Sequence, residues 1–344
     1  MRRTLIFLLL LLVTAGQPTL AQVPLDIHVT ILKAEDSRSF DEPLAALFKH
    51  KDVTVRSRAA LAAGRIGNAR AVPALTELLL NDDSPDVRVM AVFALGEIES
   101  AEAAEAVNRA AIDPKAPPDI RARALEAAGK IVAANAEDPR MTVLKESIVR
   151  VLNIQSKDSA IQNTSVIRAG LTAVLRARPD GGEDAVKPFL AHSSPEGVAD
   201  ALNTLARLRS KAANPDTREL LKSHKDPIVR ANAARLLGAA EDKEALDLLI
   251  TAAANDRDSR VRVSAIRSLA QLKDHKSAPT LIARGNTLLA DYKRSKFASP
   301  IEKNELLEVA SALGRLKQDT ADTESIKFLS AFGEADRYRS PETE

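Results

Sequence analysis

One short pattern, written seven times along the chain, decides what this sequence can fold into. Take an anchor position with an apolar neighbour before it. Small or apolar residues then follow three, seven and ten places on, and Gly or Ala stands eight places on. Val55-Arg56 leads to Ala59, Ala63-Gly64 and Ile66. Val87-Arg88 leads to Ala91, Leu95-Gly96 and Ile98; Ile120-Arg121 leads to Ala124, Ala128-Gly129 and Ile131. Val229-Arg230 leads to Ala233, Leu237-Gly238 and Ala240; Val261-Arg262 leads to Ala265, Leu269-Ala270 and Leu272. Weaker copies are anchored at Val198 (Ala201, Leu205-Ala206, Leu208) and Leu306 (Val309, Leu313-Gly314, Leu316). Successive anchors are 32, 33, 77, 32, 32 and 44 residues apart. A fixed period of this size marks a stack of like supersecondary units, each in contact with its neighbours only.

Each unit reads as two helices. Ala, Leu, Arg, Glu and Lys favour helix, and no stretch alternates as a strand would. The second helix starts at Asp52, Ser84, Ser194, Asp226 and Asp258, four places before the anchor. Such residues cap a first turn. Pro85, Pro195 and Pro227 follow three of them, at the position where a missing N–H does no harm. Ser299-Pro300 with Glu302 has the form of a capping box. The apolar positions form one face at helical spacing. A mid-helix Gly costs about 1 kcal/mol against Ala, so its recurrence predicts close helix–helix approach. First helices carry their own stripes, such as Leu75, Leu78 and Leu79. The gap of 77 holds a further unit near residues 161–177 whose register stays open, and the gap of 44 holds a longer loop or extended helix at about 291–300.

The run Asp-x-x-Val-Arg-x-x-Ala-x-x-Ala-Leu-Gly-x-Ile resembles the HEAT repeat, in the short bacterial form also seen in bilin (PBS) lyases. The resemblance implies an all-α, right-handed α-solenoid of about eight stacked helix pairs, a HEAT/armadillo-like superhelix with the second helix of each pair on the concave side. The array is expected over residues 40–338, after a lead-in at 22–39 and before a polar tail at 339–344.

Residues 1–21 read as a secretory signal peptide: Arg2-Arg3, the apolar run Leu5–Val13, and the small-residue site Thr19-Leu20-Ala21. The expected protein is exported, periplasmic or extracellular, with no stable membrane span after cleavage. Removing this segment removes two arginines and no acid, which takes the formal charge from +2 to neutral. A neutral chain without Trp argues against nucleic acid as partner. Without Cys there is neither a disulfide nor a thiolate metal site.

No catalytic constellation stands out, and no cofactor or metal is expected. His50, His192 and His224 share one phase, six places before an anchor, but lack further ligands. They read as the C-terminal ends of first helices, where a cation meets partial negative charge. No His-Glu dipeptide of the kind used by iron-dependent HEAT-like hydroxylases is present. What remains is the concave face, at positions two, five and nine after each anchor. Arg58, Arg65, Arg123, Lys130, Arg207, Arg235 and Arg267 give it a positive bias, and Met90 and Phe93 add an apolar spot with Leu61. Guanidinium forks match carboxylates, so the expected partner is a protein or an extended acidic peptide, with Phe93 as an anchor. The favoured reading is a non-catalytic scaffold. The alternatives are a bilin-lyase-like or other accessory factor, or the repeat module of a larger folding-catalyst assembly.

Overall fold

The computed structural model describes residues 23–295, 300–316 and 323–335. Residues 1–21, read as a signal peptide, Ser299, read as a cap, and the expected tail 339–344 lie outside them. The chain runs through α1 (Leu25–Asp36), α2 (Glu42–Ala46), α3 (Val53–Ile66), α4 (Val72–Asn81), α5 (Pro85–Ile98) and α6 (Ala104–Ile112). It continues through α7 (Pro118–Ala134), α8 (Met141–Lys157), α9 (Thr164–Ala177), α10 (Gly182–Val186), α11 (Pro195–Leu208) and α12 (Asn214–Ser223). Last come α13 (Pro227–Ala239), α14 (Leu246–Asn255), α15 (Ser259–Leu272), α16 (Ala278–Ser295), α17 (Pro300–Leu316) and α18 (Thr323–Ala335). No strand occurs among the described residues.

Two layers result. Odd-numbered helices pack on the next odd helix, and each of α3 to α17 packs on the segment just before it. The odd layer holds the repeated pattern. Its positions one before and three and seven after the anchor are fully buried, as at Val55, Ala59 and Ala63 or Val261, Ala265 and Leu269. The residue four places on, which the pattern omitted, is buried as deeply: Ala60, Val92, Leu125, Ala234 and Ile266. Ile66, Ile98 and Leu272, ten places on, are only half-buried. Ile131, Ala240 and Leu316, at the same position, are buried as the sequence suggested, so the depth of this place varies from unit to unit. Helix α1, in the stretch read as a lead-in, joins the odd layer by packing on α3.

The recurrent small residue acts as a notch. A Cβ on Gly64 would stand 2.8 Å from the Ala94 Cα, one on Gly96 2.9 Å from the Ala127 Cα, and one on Gly129 3.0 Å from the Ala173 Cα. One on Gly238 would stand 2.6 Å from the Ser268 Cβ. Ala94, Ala127 and Ser268 each lie six places after their own anchor. Ala173 must do the same, which puts the missing anchor at Ile167. Backbone angles agree: Glu99, Arg178, Arg209, Glu241 and Lys273 have φ of 57°, 43°, 57°, 56° and 54°, and each lies eleven places after its anchor. Gly67, with φ of 74°, does so at no steric penalty. The 44-residue spacing is met by α16, which runs to Ser295.

Caps follow expectation with one exception. Asp52, Ser194, Asp226 and Asp258 accept N–H bonds from the first turn, whereas Ser84 occupies the cap without a side-chain bond.

The anchor arginine staples adjacent units. Arg56 makes a forked pair with Asp82 at 2.7 and 2.9 Å and donates to the His50 and Lys51 carbonyls at 2.9 and 3.2 Å. Arg230 repeats this with Asp256 at 2.8 and 2.9 Å and the His224 and Lys225 carbonyls, both at 2.9 Å. Arg262 pairs instead with Glu305 at 2.8 and 2.6 Å, and Arg284 joins at 2.7 Å. Glu305 is fully buried. Burial opposes its ionisation, but Arg262 and Arg284 outweigh that and hold its pKa below the usual carboxylate range. Burial likewise works against Asp82 and Asp256 and is outweighed by Arg56 and Arg230. Arg88 and Arg121 meet only carbonyls, of Leu79 at 2.9 Å and Ala111 at 3.5 Å.

Two expectations follow from this packing. Gly96→Leu overpacks the notch and should destabilise the chain by about 1–3 kcal/mol. Gly314→Ala, where no described atom lies within 4 Å of the added Cβ, should be neutral or gain up to about 1 kcal/mol; denaturation followed by circular dichroism compares them, and equal losses would refute the notch. The staple carboxylates have folded pKa values below their unfolded ones. Their contribution is therefore complete above the unfolded carboxylate pKa of about 4 and fades as pH falls through the lower folded values. Asp82→Asn with Asp256→Asn should cost about 1–3 kcal/mol per site at pH 7 and should shrink the further loss of melting temperature between about pH 5 and 3.

Candidate functional site

The notches set the spacing of the odd layer, and that layer carries the candidate surface. Its outward rows, two, five and nine places after each anchor, run through α3 to α17 in register. The hidden unit adds Ala169, Thr172 and Arg176 to these rows.

At the N-terminal end the charges are matched from within. Both terminal nitrogens of Arg58 bond the Glu35 carboxylate on α1 at 2.9 Å, and Arg65 reaches the same group at 3.3 Å. The bond from Arg58 holds the Glu35 pKa below the ordinary range, against burial. Two units on, Arg123 pairs with Glu126 at 2.6 Å, and Lys130 pairs with Glu97 at 2.5 Å and Glu126 at 3.3 Å. Burial raises the Glu126 pKa, but the two cations outweigh it and leave it lowered. Those cations also cover Phe93: the Arg123 Cζ lies 5.3 Å and the Lys130 Nζ 5.4 Å from the ring centroid. Phe93 and Met90 are half-buried, so the expected apolar spot is narrowed by the cations beside it. Near the C-terminal end, Arg267 pairs with Glu308, which raises the Arg267 pKa.

Five of the expected partner-binding side chains thus already hold a carboxylate of their own chain. The forks read as open at Arg58, Arg65, Arg123 and Arg267 are filled, and Lys130 is filled with them. For Arg58, Arg65, Lys130 and Arg267 the reason is cross-unit reach, to Glu35, Glu97 and Glu308 on neighbouring odd helices, whereas Arg123 is matched by Glu126 three places on in its own helix.

The middle is different. Arg176 and Arg207, nine places after consecutive anchors, are exposed and form no ion pair among the described residues. Arg235 donates to the Asn203 carbonyl oxygen at 3.2 Å and to Asn232, and to no carboxylate. Arg168 and Asp200 form an exposed pair at 3.1 Å. Two adjoining clefts open here. One, of about 630 Å³, lies across α5, α7 and α9 and is lined by Arg123, Arg168 and Arg176 together with Asp86, Asp119 and Glu126. The other, of about 430 Å³, lies across α9, α11 and α13 and is lined by Arg168 and Arg235 together with Glu196, Asp200 and Asp226. Arg176 escaped sequence reasoning because its unit has Ile167 where an Arg was sought. The regular reach of nine places after the hidden anchor is the signal that finds it.

The three histidines sit at the ends of first helices, as expected, but act locally. The Nδ1 of His50 accepts the Asp52 N–H at 3.1 Å, that of His192 the Ser194 N–H at 3.0 Å, and that of His224 the Asp226 N–H at 3.1 Å. Asp82 and Asp256 accept the equivalent N–H groups of Ser84 and Asp258, both at 2.9 Å. In each case the imidazole Nδ1 serves as the acceptor that closes the loop into the next helix. No group of three His, Cys, Asp or Glu placed to hold a metal occurs among the described residues, and no described helix is long and apolar enough to cross a membrane.

Comparison with known proteins agrees with this architecture. The chain is similar over 87 % of its length to the Escherichia coli protein YibA, at 20 % identity, 99 % of that chain and a TM-score of 0.58. It is similar over 92 % of its length to importin beta, at 13 % identity and a TM-score of 0.64, and spans 46 % of that chain. The CpcE–CpcF complex of phycocyanin lyase from Nostoc sp. PCC7120 gives 16 % identity over 77 % of this chain and 96 % of that one, with a TM-score of 0.42, too low to carry an argument. The first two likenesses show the fold alone. No curated protein matches the chain. The sequence profile of HEAT repeats matches residues 30–88, 73–150, 183–270 and 214–295, well over half the chain. The chain belongs to the HEAT-repeat family.

Proposed function

We propose that this HEAT-repeat scaffold is exported and holds a protein partner through an extended acidic segment laid across the middle of its inner face. The supporting observation is the distribution of charge. Arg58, Arg65, Arg123, Lys130 and Arg267 are neutralised by their own chain, while Arg176, Arg207 and Arg235, on consecutive odd helices, form no ion pair among the described residues. An incoming carboxylate gains a fork there without displacing a resident one. The surface is polar and shallow, which suits a main chain with acidic side chains better than a small apolar ligand. Export rests on the basic start, apolar run and small-residue site within residues 1–21.

A fluorescent peptide rich in Asp and Glu tests this by anisotropy. Wild-type protein should bind it, and more weakly as salt rises. Charge reversal by Arg176→Glu, Arg207→Glu and Arg235→Glu together should weaken binding at least about tenfold, or 1.4 kcal/mol. Arg267→Gln, at a position already paired with Glu308, should change it less than about twofold, in keeping with the small worth of an exposed pair. No binding by wild type, or equal loss from Arg267→Gln, would overturn the reading.

A further inference from the structure

The two ends of the odd layer differ from every junction inside it. On α1, Ile27, Ile31 and Ala34 face α3, and Ile31 and Ala34 are only 1 % exposed. Two residues of helix turn the side chain by roughly 200°, so Leu25, Val29 and Leu32 lie on the opposite side. They are 80 %, 41 % and 48 % exposed and form a stripe at helical spacing. Asp26 and Asp36 flank it, exposed and without an ion pair among the described residues.

At the other end, α17 is the last odd helix among the described residues. Along one side of it lie Leu307, half-buried, Ala310, 8 % exposed, and Gly314, which stands eight places after the anchor, where Gly64, Gly96, Gly129 and Gly238 receive the next odd helix. Gly314 is exposed, and no described atom lies within 4 Å of the Cβ it lacks. Arg315 beside it is exposed and unpaired among the described residues.

We propose that a second copy of this chain docks on α1, seating the Leu25–Val29–Leu32 stripe against the Leu307–Ala310–Gly314 face of α17. Three observations carry this. The contact continues an interface already built inside the chain, odd helix on odd helix with a Gly notch. Large side chains already fill such notches here: a Cβ on Gly170 would stand 2.7 Å from the Leu152 Cδ2, and one on Gly285 2.6 Å from the Phe328 Cε2. The charges are also complementary, since Arg315 can meet Asp26 or Asp36 as Arg267 reaches forward to Glu308. The two surfaces are different, so the contact is head-to-tail and adds copies in a row.

Sedimentation velocity on the full chain tests it with two variants at exposed positions. Val29→Glu with Leu32→Glu blocks one end; Gly314→Glu blocks the other. The weight-average mass of wild type should rise with concentration. Each variant alone should remain at the mass of one chain, and a one-to-one mixture should yield a two-chain species, because each retains the end the other lacks. Leu25→Lys and Leu307→Lys form a second pair with the same expectations should either first variant lose helicity. A wild type that stays monomeric, a mixture that stays monomeric, or a singly blocked variant that still associates would overturn the proposal. The last result would point to like ends meeting or to the apolar leader.

Discussion

Backbone-close packing of one odd helix on the next is the constraint on which the rest of the structure depends. A residue without a side chain, eight places after the anchor, accepts a small residue six places after the next anchor. Separations near 2.9 Å to an added Cβ leave no room for even a methyl group without movement. The interaction is local, yet it sets a common geometry along the array, because every unit inherits its orientation from its neighbour. It keeps positions two, five and nine in register from α3 to α17, and so turns scattered polar residues into continuous rows.

Arginine at the anchor adds a polar lock to that apolar fit. One guanidinium spans two loops and a carboxylate, satisfying carbonyls that would otherwise face a partly closed edge. The lock is absent from two consecutive units, where Ile167 and Val198 occupy the anchor. Those same units carry Arg176 and Arg207 nine places later, exposed and unpaired among the described residues. The middle of the array has thus given up a structural arginine at the edge and carries an available one on the inner face. The units of Arg56 and Arg262 show the reverse, with locked anchors and paired cations at Arg58 and Arg267, whereas the unit of Arg230 has both a locked anchor and the available Arg235.

Most of the architecture was legible because it depends on local chemistry repeated many times. Caps at Asp52 and Asp226, prolines at Pro85 and Pro227, and the Gly notch each follow from a few neighbouring residues. The unit around α9 was hidden because three markers changed together: Ile167 replaces Arg, Leu175 replaces Gly or Ala, and Gly170 stands where Ala is usual, making room for Leu152. The left-handed residue that ends most odd helices was hidden for another reason. Glu, Arg and Lys fill that position as well as Gly67, at a strain of about 1 kcal/mol, so no residue type announces it. The state of each inner-face cation could not be read from the rows alone, since Arg58 and Arg65 meet Glu35 only after α1 joins the layer.

A formal net charge of only +2 therefore conceals an uneven surface. A carboxylate approaching Arg58 would have to exchange with Glu35, breaking two bonds of 2.9 Å to make two like them. The net gain is small, because exchanging equivalent charge-assisted bonds releases little free energy. At Arg207 the exchange is with water alone, and at Arg235 with neutral amide oxygens, which hold a guanidinium less firmly than a carboxylate does. Counting cations over the inner face overstates what it can bind, and counting total charge understates it. The quantity that matters is the number of guanidinium groups left over once the stack has matched its own acids: among the described residues of these rows, Arg176, Arg207 and Arg235 on α9 to α13, and Arg315 on α17.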